Sequence, residues 1–357
     1  MSVLFSQRVD PDSPMLQYMG RIDDSNPNAP VLVYPCSCVK IRFWGSAIGM
    51  EITNLHSYYE NSLGILLDGE QRKIVLPEKG RDFIPIAQDL PEGEHTLTLF
   101  KRMDGCHYVI FHGFLLPGNA RLLPLPQKPK RRMEFYGDSV TAGEVSELVD
   151  CCGMADPAHN GEYSNSFYSY AWCTARRLNA QIHNIAQGGI ALLSGTGYYC
   201  APQLIGMEQM YDKIQCNPNL SPTEPWDFSR YTPHVVVVAI GQNDSHPEDF
   251  MEPGLDNPKA QSWMARYAAF IGRLRQCYPK ATILLTTTIL NHNANWDRAI
   301  DAVCQRLGDA KIHHFLYSNN GCGTPGHIRR PEAEQMAEEL SAFVETLGED
   351  IWEDEYD

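Results

Sequence analysis

The chain has 357 residues, of which 44 are Asp or Glu and 29 are Lys or Arg, giving a formal charge of −15. That balance argues against a nucleic-acid or anionic-membrane binder, whose affinity would come from clustered cations. With 43% hydrophobic and 20% charged residues the chain is neither disordered nor fibrous, and its length exceeds one typical core, so two domains are expected.

The run Met1–Arg8 has neither the basic segment nor the apolar segment of a secretory signal, and no stretch approaches the roughly 20 apolar residues of a transmembrane helix. A cytoplasmic location is the resulting expectation. The 11 cysteines fit it: their number is odd, they are scattered, and Cys36/Cys38 and Cys151/Cys152 are too close together for ordinary metal or redox motifs. They read as reduced, mostly buried thiols, with vicinal Cys151-Cys152 the pair most open to oxidation.

In chain order, residues 1–125 read as all-β. Short runs rich in Val, Ile and aromatics recur at 31–34, 39–44, 50–53, 63–67, 95–100 and 108–111, several alternating with the period of two that marks a half-buried strand. Asp68-Gly69 is a hairpin signal between two of the runs. The pattern predicts a β-sandwich or jelly roll. Pro124–Lys130 is a stiff, proline-rich junction, with residues 126–130 as the linker.

From residue 131 strands alternate with helices. Five short apolar runs, Met133–Gly137, Gln181–Ala186, Val235–Gly241, Thr282–Thr288 and Lys311–Tyr317, predict strands, and 131–348 is one α/β domain. Phe167, Ala171, Thr174 and Leu178 form one helical stripe, and Ala333, Met336, Ala337, Leu340, Val344 and Leu347 another. The run Val235–Val238 indicates burial on both faces, hence a parallel sheet between layers of helices. Ligands of such sheets bind beyond the carboxyl ends of the strands.

Four features stand at those ends. Gly137-Asp138-Ser139 puts a hydroxyl where a strand turns into a helix, near backbone N–H groups able to receive an oxyanion; alone it is also an ordinary helix cap. Gly188-Gly189 lets backbone approach a ligand closely, or is simply a tight loop. Gly241-Gln242-Asn243-Asp244 holds an amide that donates to developing negative charge, or closes the strand as an Asx turn. His327, in the loop before the last helix, has the position of a general base.

Together and in this order, these blocks resemble the SGNH (GDSL-type) esterase superfamily. The β-sandwich ahead of them, with Trp226–Ser229 leading into the Gly241–Asp244 strand, resembles carbohydrate esterase family 2. The resemblance implies a flavodoxin-like three-layer α/β/α hydrolase domain, with Ser139 as nucleophile and His327 as base. It implies an oxyanion hole made by the N–H groups of Ser139 and Gly189 and the side chain of Asn243, with Gly188 the alternative to Gly189. The implied chemistry removes acetyl groups from xylan, mannan or glucomannan fragments without metal or organic cofactor.

The superfamily usually has Asp three residues before the catalytic His, and position 324 is Thr. A Ser-His dyad is therefore expected, its imidazole oriented by a backbone carbonyl in the loop 322–326, with Glu332 or another acid left open. Pro331 suits the first turn of the final helix. Rival readings are an SGNH lipase or thioesterase with a wide apolar groove, an inactive carbohydrate-binding protein, and a metal enzyme using His313-His314. Adjacent residues on a strand face opposite ways, which counts against the last. Tyr198, Tyr199 and Tyr211 could line a sugar cleft. The final nine residues, 349–357, carry six acids and no bases and read as a solvated tail. Acidity disfavours polyanionic substrates and leaves neutral, acetylated oligosaccharides inside the cell as the expected partner.

Overall fold

A computed structural model describes residues 4–354 except Lys79, so the first three residues of the Met1–Arg8 run and the last three of the acidic tail lie outside the described residues. The chain divides into two compact units. One takes in residues up to Lys128 together with Asn160–Glu162 and Ile214–Glu224, and the other holds the remainder. Two short segments from later in the chain thus belong to the β-rich unit.

That unit contains two antiparallel six-stranded sheets. Strand Cys38–Gly45 shows why they form: Val39, Ile41 and Phe43 are buried while Lys40, Arg42 and Trp44 between them are partly exposed. Leu97 and Leu99 of Gly93–Lys101 pair with Ile41 and Val39, and Ile52 and Met50 of the other sheet join them in one core. Each such side chain contributes about 1.5–3 kcal/mol when fully buried. Asp68-Gly69 closes a hairpin between Ser62–Leu67 and Glu70–Val75, both turn residues having positive φ. Sequence periodicity misses Glu70–Val75 and Gly80–Ala87, whose residues are almost all exposed or only partly buried.

The second unit is built on a five-stranded parallel sheet: β1 (Arg131–Gly137), β2 (Ala180–Ala186), β3 (Val235–Ala239), β4 (Thr282–Thr286) and β5 (Ile312–His314). Its order is β2-β1-β3-β4-β5, the flavodoxin-like arrangement. All five residues of β3 and all five of β4 are buried. The chief helices are α1 (Ser139–Ala142), α2 (Tyr170–Arg177), α3 (Pro258–Cys277), α4 (Asn295–Leu307) and α5 (Arg330–Thr346). Helix α5 buries Ala333, Met336, Ala337, Leu340 and Val344, as its spacing predicts, and Pro331 sits in its first turn. No described helix is long and apolar enough to cross a membrane.

The acidic tail makes ion pairs that its sequence does not announce. Glu349 pairs with Arg131 at 2.6 Å, Arg131 lies over the Trp352 ring, and Asp354 pairs with Arg132 and with His234 at 3.2 Å. Its described acids are exposed, as expected of a solvated tail, but Glu349 and Asp354 are tethered to Arg131 and Arg132 at the amino end of β1 and to His234 just before β3.

Candidate active site

Three blocks meet at the carboxyl ends of β1, β2 and β3. Asp138 caps α1, its carboxylate accepting from the Val140 N–H at 3.0 Å. Burial pushes the Asp138 carboxyl up to about 6, the Val140 hydrogen bond acting against it. The ordinary cap reading of this block is thus true, and it is what holds Ser139 at the first helical position, where the backbone N–H has no acceptor within the helix. The Gln187 N–H donates to the Gly137 carbonyl at 3.2 Å, tying the glycine loop to β1. Gly189 has φ +69°, its carbonyl accepts from the Tyr198 N–H at 2.8 Å, and a Cβ there would lie 2.9 Å from that of Tyr198.

The turn after β3 clamps the same loop. The Asn243 side-chain amide donates to the Ile190 carbonyl at 2.9 Å, which leaves its other N–H for a ligand. Next to it, the buried Asp244 carboxylate accepts from the N–H groups of Leu192 (2.7 Å) and Leu193 (3.0 Å) and from the Thr196 hydroxyl (3.2 Å). Burial pushes the Asp244 carboxyl up to about 7 against these three donors. Behind the turn, Gln242 accepts from the Thr288 N–H at 3.0 Å and lies 3.1 Å from His292 Nδ1, while His292 Nε2 pairs with Asp297 at 3.0 Å. The oxyanion candidates therefore rest on a braced scaffold.

The fourth block corrects the dyad expectation. His327 Nδ1 is 2.5 Å from Oδ2 of Asp156, a residue of the loop between α1 and α2. No backbone carbonyl takes that place, and Glu332 is engaged elsewhere: its two oxygens accept from the N–H groups of Thr324 (2.8 Å) and Arg329 (2.7 Å) at the start of α5. Burial raises the Asp156 carboxyl, but His327 and the Arg329 guanidinium outweigh it and hold the group below the usual carboxylate range. The guanidinium is fully buried, 2.8 Å from Asp156 Oδ1, and also donates to the His327 carbonyl at 2.6 Å. Thr324 does not face the imidazole. Its hydroxyl accepts from the Gly153 N–H at 2.7 Å, anchoring the segment that leads to Asp156.

His327 lies close enough to Asp138 to influence its carboxyl, and its Nε2 is 3.4 Å from Glu144, whose N–H donates to the Ser139 carbonyl at 3.0 Å. Ser139 and His327 thus belong to one cluster, although the Nε2 atom makes no direct hydrogen bond to the Ser139 hydroxyl. Apo catalytic contacts often tighten only once substrate is bound.

Gly326 shows how tightly the pair is set. Its φ is +85°, and an added Cβ would fall 2.5 Å from Asp156 Oδ2. Gly326→Ala is expected to cost about 1–2 kcal/mol in urea unfolding through its strained backbone. It should also lower kcat at least tenfold by driving the carboxylate off the imidazole. Unchanged kcat with only a stability loss would show that the close approach is unimportant.

Asp156, Glu144 and Arg329 were not found from the sequence. Position 324 carries no acid, and of the other acids left open nothing singles out Asp156, because an Asp-Pro in a long irregular loop has no periodic signal. The rival metal pair is split: His314 faces Asp301 of α4 at 3.3 Å, while His313 meets the Phe343 ring of α5 edge to face. Of the three tyrosines only Tyr198 is on the surface, 56% exposed and stacked on His246 at 4.2 Å; Tyr199 and Tyr211 are buried.

A capped serine after the first strand, a glycine loop, an amide turn and a late histidine around this sheet define a GDSL-like hydrolase. The chain belongs to the GDSL-like lipase/acylhydrolase family, whose family model matches residues 135–350. Residues 18–126 match the family model described as carbohydrate esterase 2 N-terminal. The chain is 30% identical over 350 residues to the cellulase/esterase CelE of Acetivibrio thermocellus, covering 95% of this chain and 40% of that protein, so it spans two fifths of that relative's length. It is 24% identical to an acetylxylan esterase / glucomannan deacetylase of Cellvibrio japonicus, covering 92% of this chain and 87% of that protein. Among solved structures it resembles a family two carbohydrate esterase from Clostridium thermocellum in complex with cellohexaose, with a TM-score of 0.79 and 28% identity over 93% of this chain and 98% of that one. A family two carbohydrate esterase from Cellvibrio japonicus shares the fold, with a TM-score of 0.79 and 23% identity over 98% and 100%.

Proposed function

We propose that this protein is a serine esterase that removes O-acetyl groups from plant polysaccharide fragments, namely acetylated xylo-, manno- or gluco-oligosaccharides. The observation that carries the reading is the 2.5 Å contact between Asp156 and His327 Nδ1 beside the Ser139 turn. It fixes the tautomer with Nε2 unprotonated, which is the atom a general base needs.

In this mechanism His327 takes the Ser139 proton as the hydroxyl oxygen attacks the acetyl carbonyl. The N–H groups of Ser139 and Gly189 and the Asn243 amide receive the oxyanion. The imidazolium, stabilised by Asp156, then protonates the departing sugar oxygen, and water attacks the acetyl-enzyme by the reverse roles to release acetate. Each oxyanion donor contributes on the order of 3 kcal/mol of transition-state stabilisation. None of these steps calls for a metal or organic cofactor.

The relatives named as esterases of xylan and glucomannan, and the neighbour holding cellohexaose, support a sugar substrate. Tyr198 supports it too, because an exposed ring whose backbone is tied to Gly189 offers a sugar face a stacking platform next to the site. The inactive binding-protein reading loses its one argument, the missing acid, now that Asp156 stands at the imidazole. A lipase or thioesterase is separated by chain length: 4-nitrophenyl acetate should be cleaved at least a hundredfold faster in kcat/KM than the octanoate. Comparable or better cleavage of octanoate would favour the lipase reading instead.

A further inference from the structure

We propose that His292 is a positioning residue for the esterase, its ring clamped between the Leu290 carbonyl and Asp297 so that the Gln242–Asn243 turn holds its amide where the oxyanion forms. This rests on the reading of Asn243 as an oxyanion donor and adds to it a charged brace behind the reacting atoms.

His292 lies in the loop between β4 and α4, and its side chain is only 5% exposed. Nδ1 is 2.5 Å from the Leu290 carbonyl oxygen, and Nε2 is 3.0 Å from Asp297 Oδ2. Asp297 is also held without His292: its Oδ1 accepts from the Thr287 hydroxyl at 2.7 Å and its Oδ2 from the Asn320 amide at 2.8 Å. Burial raises the Asp297 carboxyl, but His292 and these two donors outweigh it and keep it below the usual carboxylate range. A carbonyl and an ionised carboxylate can only accept, so a neutral ring would turn a nitrogen lone pair toward one of them. Protons on both ring nitrogens satisfy both. Burial works against that charge, yet Asp297, the Leu290 carbonyl and Asp249 outweigh it and hold the imidazole above its usual range.

The clamp reaches Asn243 through Gln242. Gln242 Nε2 donates to the same Leu290 carbonyl at 3.4 Å and lies 3.1 Å from His292 Nδ1. Its Oε1 accepts from the Thr288 N–H at 3.0 Å and from the Thr288 hydroxyl. One carbonyl is thus shared by the ring and by the side chain next in sequence to the oxyanion amide. A charged donor makes a hydrogen bond roughly twice as strong as a neutral one, so the protonated ring fixes that carbonyl firmly. Asn243 spends one N–H on the Ile190 carbonyl at 2.9 Å, and the direction of the other follows from where the turn sits. A catalytic group misplaced by about 1 Å can cost on the order of a hundredfold in rate, so losing the clamp shows in kcat rather than in substrate binding.

The test measures kcat and KM on 4-nitrophenyl acetate for wild type, His292→Gln, Asn243→Ala and the double variant. His292→Gln should lower kcat by about tenfold to a hundredfold, with KM within about twofold of wild type. In the Asn243→Ala background the same substitution should change kcat by less than about threefold, since no amide remains to be positioned. Equal losses in both backgrounds, or a His292→Gln enzyme with wild-type kcat, would overturn the role of His292 while leaving the esterase reading intact. Asn243→Ala with wild-type kcat would overturn the oxyanion reading, and this inference with it. A wild type inactive on the ester would overturn the esterase reading itself. Nitrogen-15 NMR of histidine-labelled wild type tests the clamp even if His292→Gln does not fold. At pH about 7, where an ordinary histidine is mostly neutral, His292 should carry protons on both ring nitrogens, its signal assigned by its change in Asp297→Asn. A neutral His292 ring would overturn the clamp.

Discussion

Ser139→Ala is expected to reduce acetate release by on the order of 10⁵-fold or more, leaving only what the oxyanion donors and binding provide. The reason is chemical rather than structural. The residue is only 8% exposed at the first position of α1, yet α1 is capped by Asp138 and not by the Ser139 hydroxyl, so its removal opens no helix end. Thermal unfolding should stay within about a degree or two of wild type, in line with a small change that breaks no cap and leaves no large cavity. Retention of near wild-type activity in a folded Ser139→Ala protein would remove the nucleophile from the account.

Asp156→Asn should lower kcat by about 10³–10⁴-fold while leaving KM for 4-nitrophenyl acetate little changed. An amide at 156 keeps the shape but presents an N–H to Nδ1, favouring the tautomer with the proton on Nε2. His327 would then be unable to accept the serine proton. The buried Arg329 guanidinium would also lose its countercharge, so a measurable stability loss should accompany the kinetic one. The alternative orienting groups expected from sequence make the opposite prediction. If a backbone carbonyl were sufficient, Asp156→Asn would cost less than tenfold; only if the Thr324 side chain oriented the imidazole would Thr324→Ala cost as much as His327→Ala.

The difference between what was legible in the sequence and what was not follows contact range. Gly137-Asp138-Ser139, Gly188-Gly189 and Gly241–Asp244 each join a buried strand to a turn within a few residues, so the strand's apolar run and the turn chemistry announce them together. Asp156 and His327 are 171 residues apart and meet because buried Arg329 and the bare Gly326 hold the loops in contact. Neither device leaves a local pattern. Glu144 is only five residues from Ser139, but its approach to Nε2 depends on where the last loop falls. In the β-rich unit the central strands show their alternation, whereas Glu70–Val75 and Gly80–Ala87 bury too little to show one. The ion pairs of the exposed tail are silent in the sequence for a related cause: Arg131 and Arg132, which receive Glu349 and Asp354, lie more than 200 residues earlier.

In the proposed mechanism Ser139, His327 and Asp156 together remove acetyl groups from sugars. It is tested most directly by proton NMR of acetylated mannan and xylan oligosaccharides during treatment with wild-type enzyme and with Ser139→Ala. Wild type is expected to remove sugar acetyl signals from defined ring carbons with matching growth of free acetate, and the variant to leave the spectrum unchanged. Sugar acetyl signals that persist under wild-type enzyme active on 4-nitrophenyl acetate, or that vanish equally fast with the variant, would contradict it.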